Sequence, residues 1–317
     1  MNLTIFIPSF NSEKHIDLTI QSLLQQTYVN FHLHVIDNAS TDNTVQIATK
    51  YISKFPNFRI SVNPVNIGAE DNFNRCIELC ETEFMAIYHA DDVYHRDIVH
   101  VSINYLRTNL DVGVITTLGE LIDSNGRKIN KKFKLPFFFK IKALTTNLLK
   151  LSEFEILKYI SNCLGNSFLI CPSAMMRTNC AKEAKGFQFS LYRSSSDLGL
   201  WLNISKKLKH GIVLKNLISY RIHEGQGTSF YIKESDKLSD FSKVLRIHVG
   251  KEHQLHSRIW IIFARELILL LEKRRMLKKY SGDYKQNFLY ARAMSYLGKS
   301  IFIHPFWCLY YFLKSKR

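Results

Sequence analysis

The 317-residue chain has no apolar run of the roughly 18–20 residues that a membrane-spanning helix needs. IWIIFA and LILLL are split by Arg265 and Glu266, and Pro305 interrupts IFIHPFWCLYYFL. A spanning protein is therefore not expected, although contact with a membrane surface is compatible. Glycine is sparse, and no strand-like segment is followed by G-x-G-x-x-G or G-x-x-x-x-G-K-[ST]. That disfavours a dinucleotide cofactor and excludes a P-loop NTPase. The six cysteines (Cys76, Cys80, Cys163, Cys171, Cys180 and Cys308) form no C-x-x-C pair and no dense framework, which points to a reducing cytosol. Cys76 and Cys80 share one helix face and read as packing. The opening MNLTIFIPSF has no basic leader and its apolar run stops at Pro8, so a strand is expected there and not a signal peptide.

The hydrophobic fraction of 46% supports a sizeable core, and the length leaves room for one large or two ordinary domains. The net charge of +16 is unevenly spread. Residues 1–120 hold 7 Lys/Arg against 14 Asp/Glu, residues 121–230 hold 18 against 6, and residues 231–317 hold 18 against 7. An acidic unit thus precedes two basic ones. Acid is where cations are held; base is where an anionic surface or substrate is met.

The N-terminal third alternates strand and helix. LTIFI (3–7) is β-rich, and the text after it sets Ile16, Ile20, Leu23 and Leu24 at helical spacing with Ser12 as N-cap. FHLHVI (31–36) is a second strand; Asp42 caps a helix over 43–54 that buries Val45, Ala48 and Ile52. FRISVN (58–63) and FMAIYH (84–89) are further strands, with a helix between them. This order predicts right-handed βαβ units on a parallel sheet, an open α/β fold. Ligands of such sheets lie outside the carboxyl ends of the strands. Those ends carry Pro8 to Asn11, Asp37-Asn38, Asn63 to Gly68, and the adjacent acids Asp91 and Asp92. Two neighbouring carboxylates repel unless a positive charge or a helix N-terminus takes up their charge. Capping of a following helix is one reading, and a divalent cation is the other. Oxygen-rich ligands suit Mg²⁺ or Mn²⁺ better than zinc.

Taken together, IFIPSFN, LLQQTYVNFHLHVIDNASTDNT, NPVNIGAEDNFN, AIYHADD, CPSAMMR, SSSDLGLWL and YRIHEGQGTS resemble a family 2 glycosyltransferase of the GT-A fold, over residues 1–230. The resemblance implies an inverting enzyme using a nucleotide-sugar donor. It implies that Phe10, beside Pro8 and Asn11, stacks on the nucleobase, and that Asp37 accepts from the base's ring N–H. Asn66 and Gly68 would form the turn near the nucleoside, and Asp91 would contact ribose. Asp92 would coordinate a Mg²⁺ or Mn²⁺ bridging the donor phosphates, with His223 closing over the diphosphate or metal. Asp197 falls at the catalytic base, where burial beside LGLWL would raise its basicity. The chain departs from the family pattern at His89, which replaces the first acid of D-x-D-D, and at Asn38, Phe73 and Ser196.

The organisation expected is a nucleotide-sugar-binding half (1–115), an acceptor and catalytic half (116–230), and a basic helical extension (231–317). Residues 127–150 contain eight Lys/Arg and no acid, interleaved with aromatics and leucines. They suit an anionic membrane surface or a lipid-linked glycan acceptor, or equally a helix with a solvated basic back. Trp307, Tyr310 and Tyr311 with the basic tail suit the cytoplasmic face of the inner membrane. No nucleic-acid recognition motif accompanies the charge, and no feature sets the oligomeric state. Two rivals remain at this level: a sugar nucleotidyltransferase, and a non-catalytic glycan- or lipid-binding protein that kept the fold.

Overall fold

The computed structural model describes residues 1–130, 145–163, 168–223, Gly225, and Asp240, Lys243, Val244, Ile247 and His248. Most of the basic stretch 127–150 and the extension beyond 248 lie outside the described residues.

Four strands begin the chain as the alternation predicts: β1 (Leu3–Ser9), β2 (His32–Asp37), β3 (Phe58–Val62) and β4 (Phe84–Ile87). They pair in parallel in the order β3-β2-β1-β4, with Ser9 level with Asp37 and Asp37 with Val62. Helices α1 (Ile16–Leu24), α2 (Thr44–Thr49) and α3 (Ala69–Glu78) make the crossovers. Two strands of this set are fully buried, as expected of parallel strands covered on both faces. Beyond β4 the sheet changes character. A two-residue strand β5 (Val93–Tyr94), then α4 (Ile98–Thr108), leads to β6 (Val112–Ile122); β7 (Leu148–Leu151), β8 (Met175–Arg177) and β9 (Lys209–Arg221) follow. Strand β8 inserts antiparallel between β4 and β6, β9 runs parallel to β6, and β5 and β7 pair antiparallel with β9. The described strands form one nine-stranded mixed sheet. The boundary expected at 115/116 falls inside β6, so both halves share this sheet.

The pleat sends alternate residues to opposite faces. Leu3, Ile5 and Ile7 join Ile16, Ile20, Ala48 and Ile98 in one apolar layer. Phe6 joins Cys76, Ile77, Ala181 and Trp201 in the other, together with α5 (Glu153–Cys163), α6 (Thr178–Glu183), α7 (Phe189–Tyr192) and α8 (Ser196–Ser205). The packing read for Cys76 and Cys80 holds, since both are buried in that second layer.

Three local expectations need correction. Helix α1 starts at Ile16, and Ser12 supplies its carbonyl to the amides of His15 and Ile16 while its hydroxyl donates to Phe10 O. Leu24, in the last turn, is exposed. Helix α2 ends at Thr49, a 3₁₀ turn covers Ile52–Lys54, and Ile52 is 47% exposed, so the buried stripe stops short of it. Asp42 does organise the start of α2, accepting from the amide and hydroxyl of Thr44. Among the described residues no helix is long and apolar enough to cross a membrane.

Candidate active site

Parallel register brings the ends of β1 to β4 to one edge, and the candidate residues follow from it. Asp37 is wholly buried at the end of β2. Its Oδ1 accepts from the hydroxyls of Ser9 (3.0 Å) and Ser40 (2.6 Å), and its Oδ2 from the Ser40 amide (2.8 Å). Three of its roughly four acceptor positions are thus taken, leaving one. Phe10, the next residue beyond β1, is 46% exposed. Asn11, at φ +48°, donates its amide to Ser40 Oγ and accepts from the Thr41 amide, tying the two loops together.

Asn38 is a hub for the turn after β3. Its Nδ2 donates to Asn66 Oδ1 (2.7 Å) and Gly68 O (3.1 Å), and its Oδ1 accepts from Asn63 Nδ2 and the Ile67 amide. An aspartate could not donate both of the first two bonds, so the departure at Asn38 has a structural use. Gly68 has φ +88°, which a side chain would strain, and open space lies beside it. Helix α3 begins immediately afterwards.

Asp91 and Asp92 sit past the end of β4. Their adjacency is not helix capping, because β5 intervenes and α4 starts only at Ile98. The end of β9 arrives beside them instead. Arg221 donates its amide to Asp92 Oδ1 (2.7 Å) and its Nε–H to Asp91 O (2.7 Å). His223 Nε2 lies 2.9 Å from Asp91 Oδ2, with about a fifth of each side chain exposed. Burial works to raise the Asp91 carboxyl, but the His223 hydrogen bond and the charges of His89 and His223 hold it below the usual range. Asp92 goes the opposite way: burial, then the neighbouring Asp91 charge, push it well up against the pull of Arg221. His15, at the mouth of α1, packs its ring 5.0 Å from that of His223.

These groups have the chemistry of a hard-cation site. Ligand atoms of His89, Asp91 and Asp92 lie within 4.8 Å of one another. Asp92 Oδ2 and His89 Nε2 are buried with no hydrogen-bond partner, and a buried carboxylate oxygen without a donor is costly unless a cation serves it. The donor set fits a divalent ion.

Asp197 occupies the first turn of α8, half-buried, with its Oδ1 accepting from the Leu198 amide. Burial, then the charges of Asp197 and Asp92, push the thiol of Cys171 well up. Sequence reasoning did not single out Arg221. Its signal was present, a basic residue two positions before His223 at a strand end, but only the pairing of β9 with β6 and β5 shows that it meets Asp91 and Asp92.

The Glycosyl transferase family 2 profile matches residues 4–180, more than half of the chain. A chondroitin synthase of Escherichia coli is 26% identical over 76% of this chain, which spans about a third of that enzyme, 32%. An uncharacterised glycosyltransferase of Methanocaldococcus jannaschii is 25% identical over 85% of this chain and 87% of its own length. Among solved structures, S. aureus TarS 1–349 in complex with UDP-GlcNAc superposes with a TM-score of 0.64 at 18% identity, covering 94% of this chain and 81% of that one. The mannosyltransferase PcManGT of Pyrobaculum calidifontis, in complex with GDP-Man and Mn²⁺, gives 0.56 at 12% identity over 93% and 79%. The chain belongs to glycosyl transferase family 2: it is a nucleotide-sugar-dependent glycosyltransferase built on the GT-A fold.

Proposed function

We propose that this enzyme transfers one sugar, with inversion, from a UDP-linked donor to a hydroxyl of a growing surface glycan, including one carried on a lipid. The observation that carries the reading is the cluster at one sheet edge: the His89, Asp91 and Asp92 donors beside the end of β4, with Asp37 at the end of β2. The chondroitin synthase and TarS relatives favour a UDP sugar and a polymeric acceptor.

In this reading residues 1–115 bind the donor, and residues 116–230 supply the base and the acceptor side. Phe10 stacks on the nucleobase from its exposed position beside Pro8 and Asn11. Asp37 spends its remaining acceptor position on the base N–H. Asn66 and Gly68 line the nucleoside with backbone. Asp92 and His223 hold Mg²⁺ or Mn²⁺, with His89 completing the donor set, and Asp91 serves both ribose and cation through its exposed edge. Such an ion offsets the charge that grows on the departing diphosphate. Asp197 takes the proton of the acceptor hydroxyl as that oxygen bonds the anomeric carbon and the bond to the diphosphate breaks.

A thermal-shift series with UDP, UDP-GlcNAc and GDP, each with and without Mn²⁺, tests donor class and metal together. Binding at about 100 times the Kd adds about 2.7 kcal/mol to stability. The expected result is stabilisation by UDP that requires Mn²⁺. Stabilisation by GDP alone moves the donor class, and no response to any nucleotide removes the reading. We further propose that residues 231–317 contact the cytoplasmic face of an anionic membrane. Deleting residues 300–317 then lowers co-sedimentation with anionic vesicles; unchanged sedimentation overturns this.

A further inference from the structure

The turn that presents Asp197 carries a conformational cost. Arg193 has φ +49°, a left-handed conformation that non-glycine residues adopt at a cost on the order of 1 kcal/mol. From it the chain runs through a 3₁₀ turn, Arg193–Ser195, straight into α8. Such a backbone persists only where its surroundings fix it.

The fixing groups come from outside the family match. Asp240, Val244 and His248 are four residues apart with helical backbone, so they lie on one face. All three are buried, whereas Ile247 is 42% exposed. Asp240 Oδ2 accepts from the hydroxyl (2.7 Å) and the amide (3.3 Å) of Ser194, directly after Arg193. Val244 enters the core layer of α8. His248 Nδ1 lies 2.8 Å from Glu153 Oε1, and its Nε2 lies 3.0 Å from the Tyr192 hydroxyl. A carboxylate can only accept, so Nδ1–H donates to Glu153, and Nε2 pairs with the Tyr192 hydroxyl. Tyr192 in turn packs against Gly199, where any β-carbon would fall 2.2 Å from its ring. Gly199 is two residues beyond Asp197. One short segment therefore grips the base-bearing element twice, at Ser194 before Asp197 and through Tyr192 at Gly199 after it.

We propose that Asp240, Val244 and His248 brace Asp197, with Asp240 and His248 as positioning residues. The proposal rests on Asp197 being the base for its catalytic consequence, but not for the contact itself. It gives the start of the basic C-terminal region a role in transfer that does not require a membrane. A base misplaced by about 1 Å loses on the order of 100-fold in rate, so a loosened brace costs turnover and leaves donor binding alone.

The test uses the full chain with Asp240→Ala, His248→Phe and, as the mildest change, Ser194→Ala. Hydrogen exchange is read over residues 192–201, with β1 to β4 as reference. The expected result is at least tenfold faster exchange confined to 192–201. Unchanged protection in the variants that fold overturns the brace whatever Asp197 does. Turnover is read as UDP release from UDP-GlcNAc with Mn²⁺. We expect kcat to fall about 10- to 100-fold with the donor KM unchanged, and Asp240→Asn, which keeps an acceptor for Ser194, to restore most of it. Adding Asp240→Ala to Asp197→Asn should lower the residual rate no further; a full additional loss would mean a general folding role and would overturn positioning. If Asp197→Asn itself leaves turnover intact while exchange rises in the brace variants, the base assignment fails and the contact stands.

Discussion

Asp37 and the Asp91–Asp92 pair stand at the same edge of the same sheet and differ in how their oxygens are served. Asp37 is buried and receives three hydrogen bonds from Ser9 and Ser40. Asp92 is equally buried, yet Oδ2 has no donor, and beside it His89 Nε2 has none either. A carboxylate served mostly by its own loops is held rigid when the chain folds, with one acceptor position left over. One left partly unsatisfied beside a second acid is finished only when something positive arrives. In the reading proposed above, the first serves recognition of a base and the second a site completed by cation and diphosphate.

The sharpest way to break the comparison lies outside both sites. Asp197→Asn should slow transfer by about 10²–10⁴-fold with UDP and Mn²⁺ affinity unchanged. Near-normal turnover would leave the acid pair as a binding site without its base. Next in size, Asp92→Asn keeps an acceptor for the Arg221 amide but removes the charge. Mn²⁺-stimulated UDP binding, read by calorimetry, should be lost. Retained stimulation would return Asp92 to a purely structural role. The smallest effect concerns two histidines away from both sites, His210 bonded to Thr116 and His34 bonded to Ser61. Burial pulls His210 down to about 3 and His34 to about 4, from an ordinary 6.5. The unfolded chain takes up protons there that the fold refuses, so stability is full above about 6.5 and is lost as pH falls toward those values. The slope is about 1.4 kcal/mol per pH unit for His210. Urea midpoints at pH 7.5 and 5 should differ in that direction, and His210→Gln should flatten the difference. An unchanged slope would mean that other groups govern it.

Much of the first half was legible because its elements are local. Apolar runs ending at Ser9, Asp37, Asn63 and His89 are each read from neighbours along the chain, and parallel pairing then forces their ends together. The misses there are matters of helix ends: Ile52 looks periodic, but the chain leaves the helix at Thr49 and turns it outward. The second half was less legible for a different reason. Strand β8 is three residues long and enters antiparallel between strands 60 to 90 positions away, and no local pattern announces such a pairing. Arg221 was overlooked for the same cause, since its partners are Asp91, Asp92, Asp123 and Ser124.

By itself the sequence determined the open sheet, the edge at which the strand-end residues gather, and the resemblance that names the chemistry, because periodicity and motif spacing are properties of neighbouring residues. Only the tertiary structure decided that Asp91 meets His223, that Asp92 is held by the backbone of Arg221, and that Asp240 and His248 steady the turn before and after Asp197. Those contacts join positions 46 to 132 residues apart. They exist because burial and register bring distant groups to one place, and that is energy a linear reading does not contain.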